Sequence, residues 1–105
     1  MMKKSTITCD MEGRIETMNA GAEEVFGYPK EELIGKKRVS LFSPGEIVLQ
    51  NVEGWLNEAV KNGVYVGKTN FVRKNGEKFN AKITIRPTFA NGKQNPQTGY
   101  IGVTE

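Results

Sequence analysis

Carboxylates are the most plentiful reactive groups in this sequence, among them Asp10, Glu12, Glu16, Glu23, Glu24, Glu31, Glu32, Glu46, Glu53, Glu58 and Glu77. A pair of them could share general acid and base duties if both converged on one substrate atom. Glu23-Glu24 and Glu31-Glu32 do not meet that condition, because sequence neighbours on a helix diverge around its axis. Most of the others stand at turns or helix starts, where water or the helix dipole accounts for them. Nucleophilic and metal chemistry fare no better. Histidine is absent, which removes the commonest general base and the commonest zinc and haem ligand together. The single cysteine, Cys9, has no partner for an internal disulfide or a cysteine-pair metal site. Intrinsic catalysis is therefore not expected. The densest basic run, Lys36-Lys37-Arg38, lacks interleaved aromatics and reads as a solvated loop, not a nucleic-acid patch.

What these residues can build is an apolar interior, and punctuation in the sequence shows which elements hold it. The 105 residues fit one compact domain. Residues 5–9 are rich in β-branched types and read as a strand, Asp10-Met11-Glu12-Gly13 as a turn, and Arg14 to Met18 as the returning strand. Asn19 is placed to cap a short helix that Gly27 stops. Pro29 opens a second short helix with Glu31 and Glu32 in its first turn, and Gly35 closes it. Ser43-Pro44-Gly45-Glu46 is a capping-box start for a longer helix ending at Asn62-Gly63. Val48, Val52, Trp55, Leu56, Ala59 and Val60 recur on one face of that helix at helical spacing. Gly54 inside it costs about 1 kcal/mol relative to alanine.

Beyond Gly63 the period changes to two. Val64 to Arg73 reads as a strand, and the Asn75-Gly76 pair as a hairpin turn. Lys78 to Thr88 alternates Phe79, Ala81, Ile83 and Ile85 against Asn80, Lys82, Thr84 and Arg86, so one face is buried and one wet. Asn91 to Gln97 is a polar loop, and Gly99 to Thr104 a last strand. The order β-β-α-α-α-β-β-β lacks the alternation of a parallel sheet. It implies an α+β domain with an antiparallel sheet and helices on one side. No apolar run approaches the roughly 20 residues of a membrane span. Met1-Met2-Lys3-Lys4 is not followed by the apolar core of a signal peptide, so a cytoplasmic location is expected.

In their order, these segments resemble a PAS domain, the small sensory module of many signalling proteins, from about Thr8 to Glu105. Asp10-Met11-Glu12-Gly13-Arg14-Ile15 resembles the family's first hairpin. Asn19 followed by Phe26-Gly27-Tyr28 and Glu32-Leu33-Ile34-Gly35-Lys36 resembles its helical segment. Arg73-Lys74-Asn75-Gly76-Glu77-Lys78-Phe79 resembles its characteristic hairpin, and Gly99-Tyr100-Ile101-Gly102-Val103 its closing strand. The resemblance implies a five-stranded antiparallel sheet, short helices and one longer helix on one face, and a ligand or cofactor pocket on the helical side. It also implies that residues 1–105 are a single domain cut from a larger signalling protein, with a histidine kinase, cyclase or chemoreceptor parent all open.

The family's cofactors can be checked residue by residue. Flavin-binding light sensors carry a cysteine shortly after the Ile-Gly step, where this chain has Arg38. They point polar amides at the flavin from positions that fall here on Phe71, Ala81 and Thr104, two of them apolar. Unpaired flavin edges would cost about 1–3 kcal/mol each, which disfavours a flavin. The absence of histidine disfavours the family's usual haem, and a thioester-linked chromophore on Cys9 is disfavoured further. Phe71, Ala81, Ile83 and Ile85 share an inward parity, and Phe26, Phe42, Val52, Trp55 and Leu56 meet them from the helical side. Two readings of that interior stay open: a filled core, or a pocket for a small apolar ligand, with Ala81 either leaving space or accommodating Trp55.

On the opposite face of the sheet, Val64, Val66 and Val72 point outward, and by the same alignment so do Ile101 and Val103. In the family this face docks a flanking helix or a second copy, so a homodimer or flanking-helix surface is expected. Two functions follow from the resemblance. One is a signal-sensing module relaying ligand or partner state to an effector domain. The other is a ligand-free module for dimerisation or protein interaction.

Overall fold

The computed structural model describes residues 4–42, 47–89 and 97–105, and of residues 40 and 47–53 the backbone alone. The expected helix start at Ser43-Pro44-Gly45-Glu46 and most of the polar loop from Asn91 lie outside the described residues. The order of elements is β1 (Ser5–Asp10), β2 (Ile15–Met18), α1 (Ala20–Phe26), α2 (Lys30–Leu33), a 3-10 turn (Val39–Phe42), α3 (Ile47–Asn62), β3 (Tyr65–Val72), β4 (Lys78–Phe89) and β5 (Gln97–Thr104). The strands form one antiparallel sheet in the order β2-β1-β5-β4-β3, the α+β architecture expected.

Local chemistry explains the boundaries. Asp10 Oδ1 accepts the backbone N–H groups of Glu12 and Arg14, each at 2.9 Å, which closes the first hairpin. Asn19 Oδ1 accepts the Ala22 N–H at 2.8 Å as the cap of α1, and also the Thr6 N–H at 3.0 Å, so one side chain fixes the helix to β1. Gly27 ends α1 in the left-handed conformation, φ 78°, its N–H on the Glu23 carbonyl. Pro29 caps α2 instead of opening its first turn, since its ψ of 143° is extended. The segment after α2 lies along β2. Gly35 N–H donates to the Ile15 carbonyl at 2.8 Å, Ile15 N–H to Lys37, and Val39 N–H to Gly13. The chain thereby covers an edge that would otherwise be exposed.

The Lys74–Glu77 turn does more than reverse the chain. Arg73 Nε donates to the Val25 carbonyl at 2.7 Å, and its guanidinium lies over the Phe79 ring. Lys74 N–H donates to the Phe26 carbonyl at 2.9 Å, and Lys74 Nζ lies 2.6 Å from Glu32. These contacts satisfy carbonyls at the end of α1 and tie the helical segment to the β3–β4 hairpin.

The helical stripe of α3 is narrower than its sequence suggests. Ala59 is fully buried and Trp55 and Leu56 are half-buried, but Val60 is 49% exposed because it sits one position beyond the face that meets the sheet. Gly54 has open space where a side chain would be, so no close approach offsets its helix cost.

Candidate functional site

The interior divides into two packed clusters. In one, Phe26 stacks on Phe42 with centroids 4.0 Å apart and meets Phe71 edge-on at 5.4 Å, joined by Ile7, Ile15, Met18, Leu33 and Ala81. In the other, Cys9, Ala59, Ile85 and Tyr100 are covered by Trp55, Leu56 and Tyr65. A cavity of about 60 Å³ lies where the clusters meet, between the sheet and the helical layer. Its walls are Ile7 and Cys9 of β1, Ile83 and Ile85 of β4, Tyr100, Gly102 and Thr104 of β5, Phe26, Phe71, Val39, Phe42, Trp55 and Leu56.

Of the residues assigned to the interior from sequence, Phe26, Phe42, Trp55, Leu56, Phe71, Ile83 and Ile85 meet at this cavity. Ala81 is buried but packed within the Phe26 cluster, away from the space. The Val52 side chain lies outside the described residues. Trp55 stacks on Tyr65, centroids 5.6 Å apart and rings 15° from parallel, instead of lying against Ala81. Space opens instead at Gly102, an inward position whose register partners are Ile7 and Ile85. Ile7, Cys9, Val39, Tyr100 and Gly102 line the cavity as well, beyond the residues that the sequence pattern places there. For the strand residues, the alternation Ser5-Thr6-Ile7-Thr8-Cys9, and the parity opposite to Ile101 and Val103, carried that signal.

The electrostatics suit a neutral guest. Burial pushes the Cys9 thiol up to about 11, against a Tyr100 N–H that lowers it; Asp10 and Glu16 push it further up. At neutral pH the group facing the cavity is a thiol, not a thiolate, and is a poor nucleophile. The sign of the linkage follows. Between the ordinary thiol value and about 11 the unfolded chain loses this proton while the folded chain keeps it. Stability therefore falls as pH rises through that window, by about 2–3 kcal/mol. Urea unfolding in reductant near neutrality and in strong alkali should show this loss for the parent and a much smaller one for Cys9→Ala. An equal loss in both would assign the alkaline limb elsewhere. Tyr65, stacked on Trp55, is also raised, by burial first and Glu58 second, against a hydrogen bond from Trp55.

Among the described residues no group of three or more His, Cys, Asp or Glu side chains could hold a metal ion, and no helix is long and apolar enough to cross a membrane. Four cations on the outer face of β3 and β4 (Lys68, Lys78, Lys82 and Arg86) are exposed. On that face Val66, Ile101 and Val103 fall in adjacent rows across β3, β4 and β5, and Val64 directly precedes β3. Val72 does not join them. It pairs with Lys78 at the hairpin end, six residues and about 20 Å of strand from Val66.

A family model described as PAS domain matches residues 3–104. A two-component system protein A from Emericella nidulans is 32% identical over 95 residues, covering 90% of this chain and 14% of its own length. The chain thus spans about a seventh of that relative. Among solved structures, a PAS domain from Colwellia psychrerythraea superposes with a TM-score of 0.88 at 20% identity, covering 97% of this chain and 84% of that one. The PAS domain of a LuxR-family transcriptional regulator from Burkholderia thailandensis, in complex with ethanol, gives 0.77 at 19% identity, covering 97% and 87%. A light-oxygen-voltage domain studied with a flavin analogue gives 0.77 at 18% identity, covering 98% and 76%. At these identities the structural likeness establishes the fold.

Proposed function

The chain belongs to the PAS domain family, and from that membership we propose that it is the sensing module of a larger, cytoplasmic signalling protein. A small neutral molecule in its cavity biases an effector domain elsewhere in that protein, and the module itself performs no catalysis. The observation that carries this reading is the apolar cavity of about 60 Å³ between the two core clusters. A packed interior seldom keeps a void larger than a water molecule. A water needs about 10–15 Å³ of such space, and a cavity of about 150 Å³ holds benzene. The space therefore suits a guest of a few heavy atoms. The ethanol complex of the Burkholderia relative supports that size class. The volume, Arg38 in place of a reactive cysteine, and apolar Phe71 and Ala81 all argue against the three fused rings of a flavin, although a light-oxygen-voltage domain shares the fold. The missing histidine argues against the family's usual haem.

A guest can shift the effector only by binding two sheet arrangements unequally. β5 offers the route. Gly102 faces the cavity while its neighbours Ile101 and Val103 face outward, so pressure at Gly102 moves the outer surface. Gly102→Val tests the reading. A side chain there meets Ile83 Cδ1 at 3.9 Å, an ordinary contact, and valine suits a strand. The variant should be at least as stable as the parent. It should also lose the rise in Tm that the parent shows with ethanol, isobutanol or benzene. No rise in the parent with any small guest, or an equal rise in both, would overturn the proposal. The alternative, a ligand-free module pairing two chains through the outer face, rests on the 54% exposure of Val66. An empty interior together with a concentration-dependent dimer would favour it.

A further inference from the structure

We propose that the guest carries a hydroxyl group, and that Ser5, with Thr104 beside it, holds that hydroxyl at one end of the cavity. The proposal rests on the sensing reading and names the chemical class of its guest. Ser5 and Thr104 are the buried polar residues among those described, 0% and 3% exposed. They face each other in the β1–β5 register. Thr104 lines the cavity. Ser5 Oγ is buried and, among the described residues, has no hydrogen-bond partner, Thr104 included. A buried hydroxyl without a partner costs stability, so one that persists calls for an explanation.

The backbone shows why Ser5 cannot turn away to find a partner. Asn19 grips the chain on both sides of it. Asn19 Nδ2 donates to the Lys4 carbonyl at 3.1 Å, its Oδ1 accepts the Thr6 N–H at 3.0 Å, and its own N–H donates to the Thr6 carbonyl at 3.1 Å. Alternation along β1 then holds the Ser5 side chain on the inner face with Ile7 and Cys9.

On that face Ser5, Ile7, Gly102 and Thr104 form the four corners of one patch, since Ser5 pairs with Thr104 and Ile7 with Gly102. Three corners line the cavity, and Ser5 is the fourth. No side chain stands at Gly102, the corner diagonal to Ser5. Opposed residues on one face have Cβ atoms about 5 Å apart, and diagonal neighbours about 7–8 Å. An oxygen held between the two hydroxyls reaches both, and a short alkyl chain extends from there over Gly102. A hydroxyl suits this corner because serine and threonine each donate and accept, so the guest can give its proton to one and take a bond from the other. A charged guest does not suit it. Among the described residues no charged side chain lines the cavity, and an unpaired charge there would be heavily penalised. A wholly apolar guest would leave Ser5 unpaired.

The test compares isobutanol with isobutyl chloride, in which chlorine replaces the hydroxyl, on the parent, Ser5→Ala and Thr104→Val. The dependence of Tm on guest concentration gives each Kd. Ser5→Ala should raise the Tm of the guest-free domain, because it removes an unpaired group. It should weaken isobutanol about fivefold and leave isobutyl chloride unchanged. Thr104→Val should weaken isobutanol to a similar degree. A serine with a purely structural role would not change the ratio of the two affinities. Equal effects of Ser5→Ala on both guests, or no effect on either, would overturn the proposal and leave the sensing module standing; the second outcome is the one an ordered water on Ser5 would give. A guest-free Tm below that of the parent would show that Ser5 is already satisfied within the fold, and would overturn it too. No Tm response of the parent to any small guest removes the sensor and this anchor together.

Discussion

Phe26→Ala is expected to destabilise the domain by about 3–5 kcal/mol, a large share of the 5–15 kcal/mol typical of a whole domain. Phe26 is 1% exposed and forms the hub of the aromatic cluster, touching Phe42, Phe71 and Phe79 with centroids 4.0, 5.4 and 5.8 Å away. Its truncation removes the transfer energy of the ring and leaves a void that three rigid neighbours close poorly. Its backbone carbonyl would still accept the Lys74 N–H, so the loss reports packing alone. Because Phe26 also lines the cavity, the void would merge with existing space. The variant should therefore recover more stability from benzene than the parent does. Urea unfolding followed by Trp55 emission measures both effects. A loss below about 1.5 kcal/mol, the cost of a volume-conserving swap, would show that the ring is not the hub described.

Gly99→Ala should be at least as damaging, for a different reason. β5 is the middle strand, and Gly99 pairs with Asp10 of β1. A side-chain carbon there would overlap the Cys9 carbonyl and crowd the Asp10 Cα. The obstacle is backbone, so no rotamer change relieves it, and the β1–β5 pairing must shift. The expected cost exceeds about 3 kcal/mol, the usual upper range for overpacking. The same substitution three residues on is the control. At Gly102 the nearest atoms are 3.9 and 4.0 Å away, and alanine should be tolerated. Comparable Tm values for the two alanine variants would show that β1 and β5 are less closely apposed than described.

Much of the fold was legible because it is written in short-range chemistry. Asn19 and Gly27 bound α1 through bonds to residues three or four positions away. The Asn75-Gly76 turn closes through Arg73 and Glu77. Strand parity was legible for the same reason: Phe71, Ala81 and Ile85 are buried on β3 and β4 as alternation requires. The site was only half legible. Alternation shows which way a side chain points, but not which strand lies beside it. Ile7 meets Gly102 across β1 and β5, a pairing of residues far apart in the chain that no local pattern encodes. The cavity therefore opens at Gly102 and not at Ala81. Register likewise separates Val72 from Val66, and the helix phase that buries Ala59 leaves Val60 in solvent. Tyr65, on the inward parity of Phe71, was readable as the partner of Trp55 only once the two elements were in place.

The pairing of Ser5 with Thr104 has a consequence for architecture. The first and last strands run side by side at the centre of the sheet, so segments attached at either end depart from neighbouring points. Such a domain can be spliced into a host loop, or circularly permuted through a short joint, with little rearrangement. Twist or separation at the β1–β5 seam reaches both attachment points together.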